Sequence, residues 1–231
     1  TMELGGHAPL IVFDDADLEH ALNVSAAFKF RNAGQVCISP TRFYVQDKIY
    51  KSFLEGFTAR SKAIRVGNGL EDGVQMGPLI DGRRLPIMED FVSDATDNGA
   101  KLQTGGERLG NLGYFYAPTV MSDVPDSARI MIEEPFGPLA PITHFRTFDE
   151  VIERANALPY GLAAYAFTTD GEKAAKTGQL LDAGVIGINH PVVSTPETPF
   201  GGVDESGYGS EGGIEGLDAF LRTKFVSELS V

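Results

Sequence analysis

Across residues 140–189 the sequence changes its hydrophobic period four times, and this alternation limits the fold classes open to the chain. Runs of apolar and strand-forming residues at 140–145, 163–168 and 185–189 are separated by segments of helical spacing at 148–157 and 171–182. A strand that returns to its sheet through a helix runs parallel to the one before it, with the helix packed outside. The expectation is an α/β fold of three layers, αβα, around a mostly parallel sheet. The upstream half adds to it. Residues 8–13 read as a buried strand, and Asp17 can cap a helix that places Leu18, Ala21, Leu22, Ser25, Ala26 and Lys29 on one face. That helix stops near Arg31, at Asn32-Ala33-Gly34. A second strand over 42–46 precedes a helix from Asp47 on which Tyr50, Phe53, Leu54, Phe57 and Ile64 share a face. A helix over 83–98, short strands between Lys101 and Val120, a long loop over 190–213, a short helix over 215–221 and a strand over 223–228 complete the reading.

Composition narrows the function classes. With 231 residues, 42% hydrophobic and 22% charged, the chain can bury one large core and resembles neither a disordered nor a membrane-embedded protein. Its net charge of 19 − 32 = −13 repels phosphate backbones and anionic lipid, so nucleic acid and membrane surfaces are excluded as partners. A single cysteine allows no intrachain disulfide and suits a reducing compartment, which gives the cytoplasm as the expected location. The four histidines, His7, His20, His144 and His190, lack metal-ligand spacing, and no metal is assigned. The chain opens at Thr1 and is within two residues of the motif-like Glu3-Leu4-Gly5-Gly6, which reads as a truncated start.

Three features carry chemistry. A lone cysteine is ordinarily a small buried hydrophobe. Cys37, however, follows Phe30-Arg31-Asn32-Ala33-Gly34-Gln35-Val36, just past a helix stop, where a glycine admits a ligand and the following amides can face an anion. Glu3 precedes a Leu-Gly-Gly bend that could turn its side chain into a cleft. Glu133-Glu134 precedes the rigid Pro135-Phe136-Gly137-Pro138. By spacing alone, either acid is an ordinary solvated surface feature.

Taken together, MELGGHAP (2–9), FRNAGQVC (30–37), MGPLI (76–80), EEPFGP (133–138), PYGLAAY (159–165) and PFGGVDESGYGSEGG (199–213) resemble the NAD(P)-dependent aldehyde dehydrogenase superfamily, in the family's order. The 37 − 3 = 34 residues from Glu3 to Cys37 match the family's separation of base and nucleophile. The resemblance implies that Cys37 attacks the aldehyde carbon, that the resulting hemithioacetal passes hydride to NAD or NADP, and that Glu3 activates the water that hydrolyses the thioester. It implies that the Cys37 amide is an oxyanion donor, that Glu134 holds the nicotinamide ribose and that Phe136 packs by the nicotinamide; core packing is the competing reading of Phe136. Asn189 matches a family position near the active site that is more structural than chemical. In succinate semialdehyde dehydrogenases an arginine six residues before the nucleophile binds the distal carboxylate, aided by a loop serine. Arg31 and Ser194 or Thr195 match these, which suggests a carboxylated semialdehyde; Arg31 could equally cap its helix or make a surface ion pair.

By the same resemblance, 1–222 is the catalytic domain without its upstream cofactor domain, and 223–231 is a strand that joins an oligomerisation sheet in a homodimer or homotetramer. NAD turnover is then not expected from the 231 residues alone. A structural or assembly role without activity is the alternative, against which the paired Glu3 and Cys37 argue. Coenzyme A acylation, a weaker option, needs no hydrolytic base. Gly207-Tyr208-Gly209-Ser210-Glu211-Gly212 fits a dinucleotide-binding pattern literally, yet it follows a loop and carries an acid where a pyrophosphate would sit. Asp204 replaces the family's usual lysine and puts in doubt whatever contact that lysine makes.

Overall fold

The computed structural model describes residues 1–230. In chain order its elements are β1 (Met2–Glu3), β2 (Ala8–Val12), α1 (Leu18–Phe30), β3 (Pro40–Gln46), α2 (Asp47–Ala63), α3 (Arg84–Asp97), β4 (Lys101–Thr104), β5 (Thr119–Ser122) and α4 (Arg129–Ile132). Then follow β6 (Leu139–Phe145), α5 (Phe148–Ala155), β7 (Tyr160–Gly161), β8 (Ala163–Phe167), α6 (Gly171–Leu180), β9 (Val185–Ile188), β10 (Val203–Asp204) and β11 (Gly207–Tyr208). Seven strands form one sheet in the order β4-β5-β6-β3-β2-β8-β9, parallel except for the antiparallel edge strand β4.

Successive side chains of a strand face opposite sides, and β3 shows what covers each. Phe43 meets Phe57 of α2 at 5.2 Å between ring centroids. Its neighbour Arg42 points the other way, donating through Nη2 to the Ala155 carbonyl at 2.9 Å and through Nη1 to that of Arg154 at 3.1 Å. These carbonyls end α5, where the helix dipole favours a cation, so a fully buried arginine is satisfied without a carboxylate. Helices therefore lie on both faces, and the αβα architecture holds. β2 and β8, central strands covered on both sides, are buried along their whole length, as their uniformly apolar sequences require.

Asp17 caps α1 as expected, accepting from the His20 amide at 3.0 Å. The helix stops at Phe30, and Arg31–Gly34 forms a 3-10 turn in which Asn32 and Ala33 adopt left-handed φ of 51° and 54°. Several expectations need correction. The region 101–120 holds two strands, with only the bridge Arg108–Tyr116 between them. Residues 215–221 form a 3-10 helix, Glu215–Phe220, rather than an α-helix. The segment 190–213 is not all loop: β10 pairs with β7, and β11 with β1. Residues 223–230 have no strand structure and are exposed, because no described edge of the sheet lies against them to supply hydrogen bonds; Val231 lies outside the described residues. Among the described residues no helix is long and apolar enough to cross a membrane.

Candidate active site

Three neighbouring parallel strands, β6, β3 and β2, are each preceded by one of the chemically suspect segments. Glu3 comes before β2, Cys37 before β3 and Glu134 before β6. The registers Ala8↔Pro40 and Phe43↔Ile142 align the starts of these strands, which brings together residues far apart in sequence. Most open α/β sheets bind ligands beyond the carboxyl ends of their strands. Here the suspect residues gather at the amino ends.

Each segment is held by specific contacts. A Cβ on Gly34 (φ 70°) would overlap the Gly137 carbonyl oxygen, so only glycine lets the pre-cysteine turn lie against the segment of Glu134. Gln35 joins this turn to residues 78–80: its Oε1 accepts from the Ile80 amide at 2.8 Å, and its Nε2 donates to the Asn32 carbonyl at 3.0 Å and that of Pro78 at 3.3 Å. Past the cysteine, the buried Tyr165 hydroxyl donates to the Ile38 carbonyl at 2.9 Å. Glu3 is anchored through β1, paired with β11, and Leu4 donates to the Ser206 carbonyl at 3.0 Å. The glycine-rich stretch 207–212 thus serves as a clamp on Glu3 and has no strand-to-helix form.

The electrostatics are negative. Burial, then the charges of Glu3 and Glu134, push the half-buried Cys37 thiol up, while the amides of Ile38 and of Cys37 itself, lying at the sulfur, pull it down. Glu3 is raised by burial and by Glu211. Burial raises Glu134 against the opposing pull of the Gly6 amide, Arg84 and Lys29. Glu134 Oε1 accepts from the Gly6 amide at 3.2 Å, while a Cβ on Gly5 would sit 2.6 Å from Oε2. Glycine at position 5 therefore keeps that oxygen clear, which fits a carboxylate that receives the hydroxyls of a ribose. Phe136 has φ 41° and is 37% exposed, so it is not a core residue.

Sequence reasoning missed Arg84 entirely and read Glu211 only as an acid out of place in a phosphate-binding pattern, not as a charge acting on Glu3. It placed Lys29 on the buried face of α1 but not its consequence: Lys29 is fully buried, its Nζ has no hydrogen-bond partner among the described residues, and burial lowers its pKa from 10.5 to about 7 against the opposing charge of Glu134. Asn189 is structural, exchanging hydrogen bonds with the Thr168 backbone at 2.9 and 2.8 Å. Asp204 is exposed with φ 53° in β10.

Arg31, at the C-cap of α1, has no hydrogen bond or ion pair among the described residues. It borders an open hollow of about 440 Å³ with Asn23, Val24, Ala27, Phe28 and Pro191. Thr195 lines a separate hollow with His190 and Thr198, and Ser194 is exposed on the same loop. The structure brings Pro191, rather than Ser194 or Thr195, to the hollow of Arg31.

The pattern described as "Aldehyde dehydrogenase family" matches residues 1–226. The chain is 44% identical over 226 residues to 3-sulfolactaldehyde dehydrogenase of Pseudomonas putida, covering 98% of this chain and 46% of the relative. It is 42% identical to the NADP(+) succinate-semialdehyde dehydrogenase of Escherichia coli, covering 98% and 47%. A crystal structure of an aldehyde dehydrogenase from Brucella melitensis biovar abortus superposes with a TM-score of 0.94 at 43% identity, covering 97% of this chain and 46% of that one. The chain spans about half the length of the curated relatives that it matches. With nearly all of its own length accounted for, the chain belongs to the aldehyde dehydrogenase family.

Proposed function

We propose that the chain is the catalytic half of an enzyme that oxidises an aldehyde to a carboxylic acid, with NAD or NADP as cofactor. The observation that carries this reading is the convergence of Glu3, Cys37 and Glu134 at the starts of three adjacent strands. Cys37 forms a bond to the aldehyde carbon, and the carbonyl oxygen takes up the electron pair as an alkoxide beside the Cys37 amide. A bound nicotinamide would supply the hydride acceptor that turns this adduct into a thioester. Glu3 takes a proton from the water that attacks the thioester, and the Cys37 thiolate departs. A raised carboxyl suits a base that works near neutral pH. The raised thiol leaves little thiolate at rest, so Cys37 needs a proton acceptor, and Glu3 is the carboxylate that acts on it most strongly. Glu134 would hold the nicotinamide ribose and Phe136 would lie against the nicotinamide.

The substrate class follows from Arg31, a cation unpaired among the described residues and beside an apolar hollow, suited to an aldehyde with a distal anion. The relatives' names specify sulfolactaldehyde and succinate semialdehyde, both anionic at the far end. Ser194 or Thr195 would have to move toward Arg31 to assist. Residues 1–222 would form the catalytic domain and 223–231 an oligomerisation strand, in a cytoplasmic homodimer or homotetramer. Because each relative is about twice as long, steady turnover is assigned to a polypeptide that also supplies the other half.

Acylation of Cys37 by an activated aryl ester needs no cofactor. A burst of aryloxide stoichiometric with the chain and abolished by Cys37→Ala is the expected result. A folded chain without a burst, or a burst that survives the substitution, would overturn the nucleophile assignment for the chain by itself.

A further inference from the structure

Phe136 is a strained point of the site. A non-glycine residue at φ 41° costs about 1 kcal/mol or more, and it persists only where surrounding contacts hold it. One side chain takes both carbonyls that flank this strain: Arg84 Nη2 donates to the Pro135 oxygen and, at 3.3 Å, to the Phe136 oxygen. One turn along α3, Met88 packs where a Cβ on Gly137 would overlap its sulfur. The first turns of α3 thus form a wall behind residues 134–137. Arg84 makes no ion pair with any carboxylate among the described residues, and its Nε is buried without a partner. Its contacts are spent on this backbone rather than on charge pairing.

We propose that Arg84 is a positioning residue that locks the 134–137 segment in its left-handed turn, so that Glu134 stands fixed against the Gly6 amide, where its charge acts on Cys37. What the lock serves rests on the cofactor reading above; whether it exists is decided without any cofactor. Burial lowers the Arg84 pKa while the charges of Asp81 and Glu134 raise it, in keeping with a cation seated at the edge of this acidic site.

Amide hydrogen exchange of the 231-residue chain tests the lock, comparing Arg84→Met and Arg84→Lys with the parent. Exchange at Gly6, whose amide donates to Glu134 Oε1 at 3.2 Å, should quicken at least about tenfold in Arg84→Met, as loss of about 1.4 kcal/mol of local protection gives, while β6 and the centre of α3 keep their rates. Arg84→Lys, which can still donate to both carbonyls, should restore most of the protection. A second readout is the rate at which iodoacetamide alkylates Cys37 at pH 7. Glu134→Gln removes a charge that raises the thiol and should quicken alkylation, and Arg84→Met should shrink that effect by releasing Glu134. Unchanged exchange at Gly6, a uniform rise across the chain, or a Glu134→Gln effect that persists in full beside Arg84→Met would each overturn the proposal. If Glu134 and Phe136 prove irrelevant to cofactor binding, these results still stand.

Discussion

Lys29 is the side chain whose removal changes the energetics most simply. Its ammonium is fully buried, has no hydrogen-bond partner among the described residues and reaches Glu134 only through space, so the folded protein bears the cost of a desolvated cation. Because the folded pKa, about 7, lies below the ordinary 10.5, the folded state binds the proton less well. The cost is therefore complete below pH 7 and fades as pH rises toward 10.5. Lys29→Met should raise unfolding stability at pH 7 by about 1–4 kcal/mol, the range for exchanging buried ions for apolar groups of similar volume. The gap from the parent should close as pH approaches 10 in urea titrations. The charge acts on Glu134, whose carboxyl Lys29 pulls down.

At the level of elements, the carboxyl edge of the sheet is sewn together by Asp15, in the turn after β2. Its Oδ1 accepts from Lys173 Nζ at 2.6 Å, and its Oδ2 accepts from Thr168 Oγ1 at 2.6 Å and from the amides of Thr169 and Asp170 at 2.9 Å each. Partial burial opposes ionisation, but these donors outweigh it and hold the carboxyl well below its usual range. The stabilisation is present above the ordinary carboxyl pKa and is lost as pH falls below it. Asp15→Asn should cost about 3 kcal/mol, as losing several hydrogen bonds to a charged group does, and should flatten the acid limb of urea midpoint against pH. These elements were largely legible in the sequence, because continuous apolar runs such as 8–12 and caps such as Asp17 are local signals. The two-residue ladders β1–β11 and β7–β10 were not legible, because their pairing partners lie about 40 to 200 residues apart and neither strand has a period to read. In the site, Cys37 and Glu3 came from motif resemblance. Arg84 left no mark, because an arginine that opens a helix looks the same whether it faces solvent or two carbonyls.

At the scale of the whole molecule, the end of the chain is its least covered part. Phe220, Phe225 and Leu229 are 86%, 89% and 86% exposed, and the segment is without strand partners. If 223–231 completes a sheet with a second copy, light scattering should show a dimer or larger that Phe225→Asp returns to monomer; a monomeric parent would count against the assignment. The strand starts that gather the site have a consequence of another kind, for how this protein can vary. Glu3, Cys37 and Glu134 each stand no more than five positions ahead of their strands, at Ala8, Pro40 and Leu139. Each added or deleted residue in such a leader shifts its group by roughly 3.3 Å, more than a hydrogen bond tolerates. The site can therefore change its side chains far more easily than its spacing, and length variation is confined to the turns at the opposite edge and to the segments beyond.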